Sequence, residues 1–108
     1  MKPFDIYIAF VSWGDSGKRR PVLILSEQGD KVFVFQITSQ FINKSPAIQI
    51  KYFEIKNWKK AGLGKLSYID TGKIIEIPKS KISIHPIGKL TESDKSALSD
   101  LLNIVDYQ

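Results

Sequence analysis

The sequence predicts a mainly β protein: a small twisted barrel or half-barrel with short helices and one C-terminal α-helix. Two patterns point there. Short runs of strand-forming residues recur between turn residues, with no β-α-β alternation. Only the stretch after Thr91 spaces its apolar residues with a sustained helical period. The length agrees, since 108 residues make one domain over 1–108, large enough to bury a core without disulfides or metal.

Each element has a local cause. Residues 4–11 alternate loosely and are rich in strand formers, giving a first strand. Residues 12–17 hold two glycines and two serines with Trp13 and Asp15, and read as an irregular loop. Residues 20–26 form a second strand, whose apolar run Val22-Leu23-Ile24-Leu25 suggests cover on both faces. Glu27-Gln28-Gly29-Asp30 is a hairpin signal, and a third strand follows over residues 31–38. Asn43-Lys44-Ser45-Pro46 reads as a turn and residues 47–50 as a short alternating strand. Within the lysine-rich stretch 51–65, the spacing of Ile55, Trp58 and Ala61 predicts about two helical turns, stopped by Gly62 or Gly64. Strand segments are expected at 66–70 and 73–77, a turn at 78–81, and a last short strand at 82–84. Thr91 is the expected N-cap of a helix running to about Val105, with an acid, Asp94, at its third position. Leu98, Leu101, Leu102 and Val105 form its apolar face.

Composition excludes several classes. There is no cysteine, hence no disulfide framework and no thiolate metal site. Residues 1–5 begin a strand pattern rather than a signal peptide, and no run is long enough to span a bilayer. The expectation is a cytoplasmic protein with no membrane role. The net charge is +5, unevenly spread: residues 1–90 carry +8 and residues 91–108 carry −3. A basic body implies a polyanionic partner.

The usual catalytic sets are absent. His85 is the only histidine, stands before Pro86, and reads as structural or surface. Ser26 and Thr38 have no neighbouring base in sequence, and the glycines lack phosphate-loop spacing. RNA phosphodiester cleavage needs none of these, because the ribose 2′-hydroxyl already supplies the nucleophile. The protein must hold the phosphate in line and stabilise a charged transition state. Arg20 is fixed in an extended conformation by Pro21 at the mouth of strand two, after the basic Lys18 and Arg19. Counted from the Gly29-Asp30 turn, Arg20 and Thr38 lie about equally far out on adjoining strands. An arginine fork and a hydroxyl would thus meet at one phosphate. Trp13, Tyr52, Trp58 and Tyr68 could stack on bases, with core packing the stronger reading for Trp58. Lys18, Arg19, Lys59 and Lys60 could follow a phosphate chain.

Five stretches carry a further likeness. They are Phe4-Asp5-Ile6; Gly17-Lys18-Arg19-Arg20-Pro21-Val22-Leu23-Ile24-Leu25-Ser26; Gln36-Ile37-Thr38-Ser39; Ala61-Gly62-Leu63 leading to Ser67-Tyr68-Ile69-Asp70; and Ile87-Gly88-Lys89-Leu90. In these, and in their order, the chain resembles the MazF/PemK family of bacterial toxin endoribonucleases. The resemblance implies an SH3-like barrel and a homodimer. It implies cofactor-free and metal-independent cleavage of single-stranded RNA, and an antitoxin whose tail occupies the RNA groove. By position Arg20 matches the catalytic arginine and Thr38 the catalytic threonine. Some members carry Arg-x-Asp where this chain reads Asp70-Thr71-Gly72, so the second arginine is missing, and Asp70 or Asp15 could take the proton instead. Asp70 is counted with Arg20 and Thr38 as catalytic. Trp13, Lys18, Arg19, Ser39, Gln40, Lys59 and Lys60 are the expected RNA contacts. The expected function is a sequence-preferring endoribonuclease, the toxin of a type II toxin–antitoxin pair. The alternative is a non-enzymatic module on the same barrel that binds nucleic acid or poisons a DNA-handling enzyme.

Overall fold

Strand β3 (Lys31–Thr38) is the hub of the structure, a computed structural model that describes residues 1–106 and, of these, all side chains except those of Trp13, Ile104, Val105 and Asp106. One edge of β3 pairs with β2 (Ser16–Gln28). The other edge is shared: β6 (Ile75–Pro78) pairs with residues 31–34, and β5 (Tyr68–Asp70) pairs with Ile37 and Thr38. Outside β2 lie β1 (Asp5–Trp13) and then β7 (Gly88–Lys89); outside β5 lies β4 (Tyr52–Glu54). The antiparallel order β4-β5-β3-β2-β1-β7 curls into a half-barrel.

Strand alternation divides the apolar residues between two cores. Leu23, Phe35, Ile37 and Ile69 point into the larger one, where Ile6, Ile55, Leu90 and Leu98 meet them. Val22, Ile24, Val32 and Val34 point to the other face, against Ala9, Val11 and Ile77. The apolar run of β2 is thus covered on both sides, as its sequence suggested. Helix α2 (Glu92–Asp106) closes the larger core through the fully buried Leu98 and the partly buried Leu102. Trp58 packs there as well. Val105, expected on the same helix face, has its side chain outside the described residues.

Several sequence expectations give way, each for a physical reason. The Gly/Ser stretch 12–17 is no irregular loop. Ser12 and Trp13 finish β1, Ser16 and Gly17 begin β2, and only Gly14 and Asp15 turn, with Gly14 at φ 55°. A positive φ at the first turn position suits a tight hairpin, which lets the ladder run further than turn composition suggests. The first strand begins at Asp5 because Phe4 sits at φ 71°, off the strand path. Residues 47–50 are not a strand: Pro46 opens a single helical turn, α1 (Pro46–Gln49), its φ pre-set for that place, with Ile48 and Ile50 exposed. The two helical turns expected from Ile55 shrink to one hydrogen-bonded turn, because Ile55 still follows the path of β4 (Tyr52–Glu54), its N–H donating to the Ser67 carbonyl at 3.0 Å. That turn does stop at Gly62. The Gly62 N–H donates to the Lys59 carbonyl and the Leu63 N–H to the Trp58 carbonyl, a Schellman closure with Gly62 at φ 90°. The expected strand at 82–84 is one bridge, Ala9 to Ile82, and pairing with β1 resumes at β7.

Asp94 keeps its expected place at the third helical position and does more there than the sequence suggested. Thr91 Oγ1 accepts the Asp94 N–H (3.3 Å), so the N-cap is present. The Asp94 carboxylate, however, reaches out of the helix to the backbone N–H groups of Asn57 (2.9 Å) and Lys56 (3.3 Å). It caps the 56–62 turn from a neighbouring element and is only 3% exposed.

Candidate functional site

The site follows from register. A β-bulge at Leu25 shifts the β2–β3 pairing by one residue, from Ser26 opposite Phe33 to Ile24 opposite Val34, and Val22 then faces Gln36. The paired ladder ends there; carried two residues further, its register sets Arg20 level with Thr38. Without the bulge Arg20 would stand level with Ser39, and Thr38 would point to the opposite face. On the far side of β3, Thr38 pairs with Tyr68. Beyond it Tyr68 pairs with Glu54, and Asp70 with Tyr52. Residues paired directly or two apart share a face. Arg20, Gln36, Thr38, Tyr68, Asp70, Tyr52 and Glu54 therefore occupy one face of the curled sheet, next to where the Val22 and Ile24 core ends.

The electrostatics agree with this placement. Burial pushes the Tyr52 phenol above its ordinary value of 10.0, the Asp70 carboxylate pushes it further, and the Arg20 guanidinium opposes both. The curl of the sheet thus brings the charge on β2 within reach of β4. Tyr52 stays protonated and can donate a hydrogen bond. Asp70 Oδ1 accepts the Gly72 N–H (2.9 Å), which fixes the carboxylate at the end of β5. Thr38 Oγ1 accepts the Gln40 N–H (3.1 Å), so its own proton is directed elsewhere. Arg20 is partly buried, with its Nε inside the structure.

Two open recesses flank Thr38. One of about 390 Å³ lies between Pro21, Thr38 and the 63–67 segment. The other, about 570 Å³, lies between the 39–43 loop and Lys65, Leu66 and Tyr68. Ser39 and Lys65 line both. Phe41 anchors the loop: its ring stacks on Tyr68 at 4.3 Å and 13°, meets Tyr52 at 6.3 Å, and its carbonyl accepts from Gln49 Nε2 at 2.9 Å.

The sequence-predicted residues do not all gather here. Arg20, Thr38 and Asp70 share the face, and Ser39 and Gln40 border it. Arg19 faces the other way. It pairs with Phe10, whereas Arg20 pairs with Ala9, and it lines a separate recess with Phe10 and Lys81. Lys18, two residues beyond Arg20, shares its face but is exposed further out on β2, opposite Val11. Asp15 lies in the hairpin turn, five residues from Arg20 or about 17 Å along the strand. Lys59 and Lys60 are exposed on the 56–62 turn, with Lys59 Nζ 5.5 Å from the centroid of the Trp58 ring, and neither lines a recess beside Thr38. Trp13 ends β1, and its side chain lies outside the described residues. Sequence reasoning passed over Gln36, Phe41 and Glu54, and took Lys65 only as the last residue of the lysine-rich stretch 51–65. A register that included the bulge would have placed Gln36 and Glu54. Nothing local marks Phe41.

Comparison with known proteins decides the family. A model of the PemK-like, MazF-like toxins of type II toxin–antitoxin systems matches residues 2–105. The chain belongs to this PemK/MazF-like toxin family. Its fold agrees with that of the Mycobacterium tuberculosis toxin MazF-mt6, with a TM-score of 0.70 at 26% identity over 94% of this chain and 96% of that one. It is also similar in fold to an endoribonuclease in complex with its cognate antitoxin from a mycobacterial species. There the TM-score is 0.61 at 14% identity, over 93% of this chain and 88% of the other. No curated protein sequence matches significantly. Family membership fits the half-barrel and terminal helix, and sets the Arg20 face within a toxin scaffold. Among the described residues no helix is long and apolar enough to cross a membrane.

Proposed function

We propose that this toxin is a metal-independent endoribonuclease acting on single-stranded RNA, and that the Arg20 face is its active site. The observation that carries the reading is the convergence of Arg20, Thr38, Tyr52, Tyr68 and Asp70, from four strands, on one sheet face. In the proposed reaction the 2′-oxygen attacks the adjacent phosphorus, the P–O5′ bond breaks, and the products carry a 2′,3′-cyclic phosphate and a 5′-hydroxyl. Arg20 offers two parallel donors to the non-bridging oxygens as charge builds on them. The Thr38 hydroxyl, its lone pair held by Gln40, donates to the same phosphate. Of the two carboxylates on this face, Glu54 and Asp70, it is Asp70, held by the Gly72 N–H, that takes the 2′-proton. The leaving 5′-oxygen is protonated from water or from the protonated carboxyl. Tyr68 and the protonated Tyr52 offer rings and hydroxyls to the flanking nucleotides.

The family relationship supports a cognate antitoxin as partner and a homodimer as the working form. A segment crossing the recesses beside Thr38 would compete directly with RNA. The test is to incubate the purified chain with single-stranded RNA in excess EDTA and analyse the ends. Cleavage with cyclic phosphate termini is expected. An intact RNA, or cleavage only on addition of a divalent metal, would overturn the reading.

A further inference from the structure

We propose that the recess between the 39–43 loop and Lys65–Leu66 is a base-reading subsite, which selects one nucleotide immediately beside the scissile phosphate. The inference rests on the ribonuclease reading and adds what that reading lacks, a source of sequence preference. The recess, about 570 Å³, has the size of a small-ligand site. It adjoins the catalytic face directly, since Tyr68 lines it and pairs with Thr38. The Tyr68 ring is already covered by Phe41, so the wall is built before a ligand arrives. Leu66, 41% exposed, offers the base an apolar surface. Gln40 and Asn43 border the recess with side-chain amides that have no hydrogen-bond partner among the described residues. Each amide presents a donor and an acceptor, the combination that pairs with a base edge. Lys65, on the boundary of both recesses, is placed to hold the phosphate between the subsite and Thr38.

These roles separate by experiment. An RNA pool randomised around a known cut is treated with the protein and the new ends are sequenced. Gln40→Ala with Asn43→Ala should still cut, but the preference at one position flanking the cut should flatten by about tenfold or more, the others staying as they were. Leu66→Trp, which fills the recess, should slow cutting of the preferred sequence selectively. Lys65→Ala should weaken binding of an RNA carrying a 2′-deoxy nucleotide at the cut, equally for all sequences, and lower the salt slope by about one phosphate contact. A folded double variant that keeps the full preference, or a Leu66→Trp protein that cuts normally, overturns the subsite while leaving the ribonuclease reading in place. A wild-type protein that cuts nothing overturns both.

Discussion

Replacing Asp94 by alanine should cost about 3 kcal/mol of stability, with the following origin. The carboxylate is 3% exposed and accepts from the Asn57 N–H at 2.9 Å, the Lys56 N–H at 3.3 Å and Asn57 Nδ2 at 3.3 Å. A hydrogen bond to a charged acceptor contributes about 1.5–3 kcal/mol, the long ones less. Water can reach part of the vacated site, because Lys56 is exposed and Asn57 half-exposed. That lowers a sum of about 5 kcal/mol to about 3. Loss of a negative charge at the α2 N-terminus adds a few tenths (about 0.3–1 kcal/mol). Asp94→Asn keeps the shape and one acceptor oxygen, and should cost about half as much. For a chain this long 1 kcal/mol shifts Tm by about 4–8 °C, so Asp94→Ala should melt roughly 12–24 °C lower. Urea and thermal unfolding followed by circular dichroism measure both variants. A loss below about 1 kcal/mol for the alanine variant, or equal losses for the two, would show that Asp94 does not hold the 56–62 turn to α2.

Other consequences follow from the same structure. A Cβ on Gly88 would sit 1.9 Å from the Ala61 carbonyl oxygen, where backbone faces backbone. Gly88→Ala should therefore lose at least about 3 kcal/mol or fail to fold, and a wild-type Tm would refute that close approach. Glu27 pairs with Lys79 and with the Met1 ammonium, and the Lys79 hydrogen bond leads in lowering its pKa from 4.5. The stability this pairing contributes is present above about 4.5 and lost as pH falls through the lowered value. The Tm gap between wild type and Glu27→Gln should then be widest near neutral pH and narrow in acid, and a gap that stays constant to pH 3 (roughly the end of the window) would contradict this pairing. Cleavage should also fall steeply with salt, as expected of a basic body holding a phosphate chain, and a salt-independent rate under subsaturating RNA would point to a protein target instead.

The parts of the fold legible in the sequence are those set by period and turn chemistry. Val22 to Leu25 reads as a strand covered on both faces, Gly29-Asp30 as a hairpin, and Thr91 as a helix start, because each depends on neighbours in the chain. The misread stretches depend on distant contacts. Residues 47–50 alternate like a strand, but Pro46 and the hydrogen bonds to Ser45 and Pro46 carbonyls wind them into a turn. Asp94 looks like a capping acid for its own helix, and only tertiary packing brings Lys56 and Asn57 to it. In the site, counting from the hairpin brought Arg20 and Thr38 to the same region. Their common face, however, depends on the Leu25 bulge, which no residue type there announces. The same alternation separates Arg19 from Arg20, although the two are adjacent in a single basic run.

The most direct test of the Arg20 face is a single-turnover cleavage assay in EDTA comparing wild type with Arg20→Ala, Arg20→Lys and Thr38→Val, each first shown to melt like wild type. If Arg20 stabilises the transition state, Arg20→Ala should slow cleavage by at least about two orders of magnitude. Arg20→Lys should recover little, because a point charge does not replace a two-donor fork. Thr38→Val should fall by a smaller but clear factor. A folded Arg20→Ala protein that cleaves at the wild-type rate would contradict the assignment.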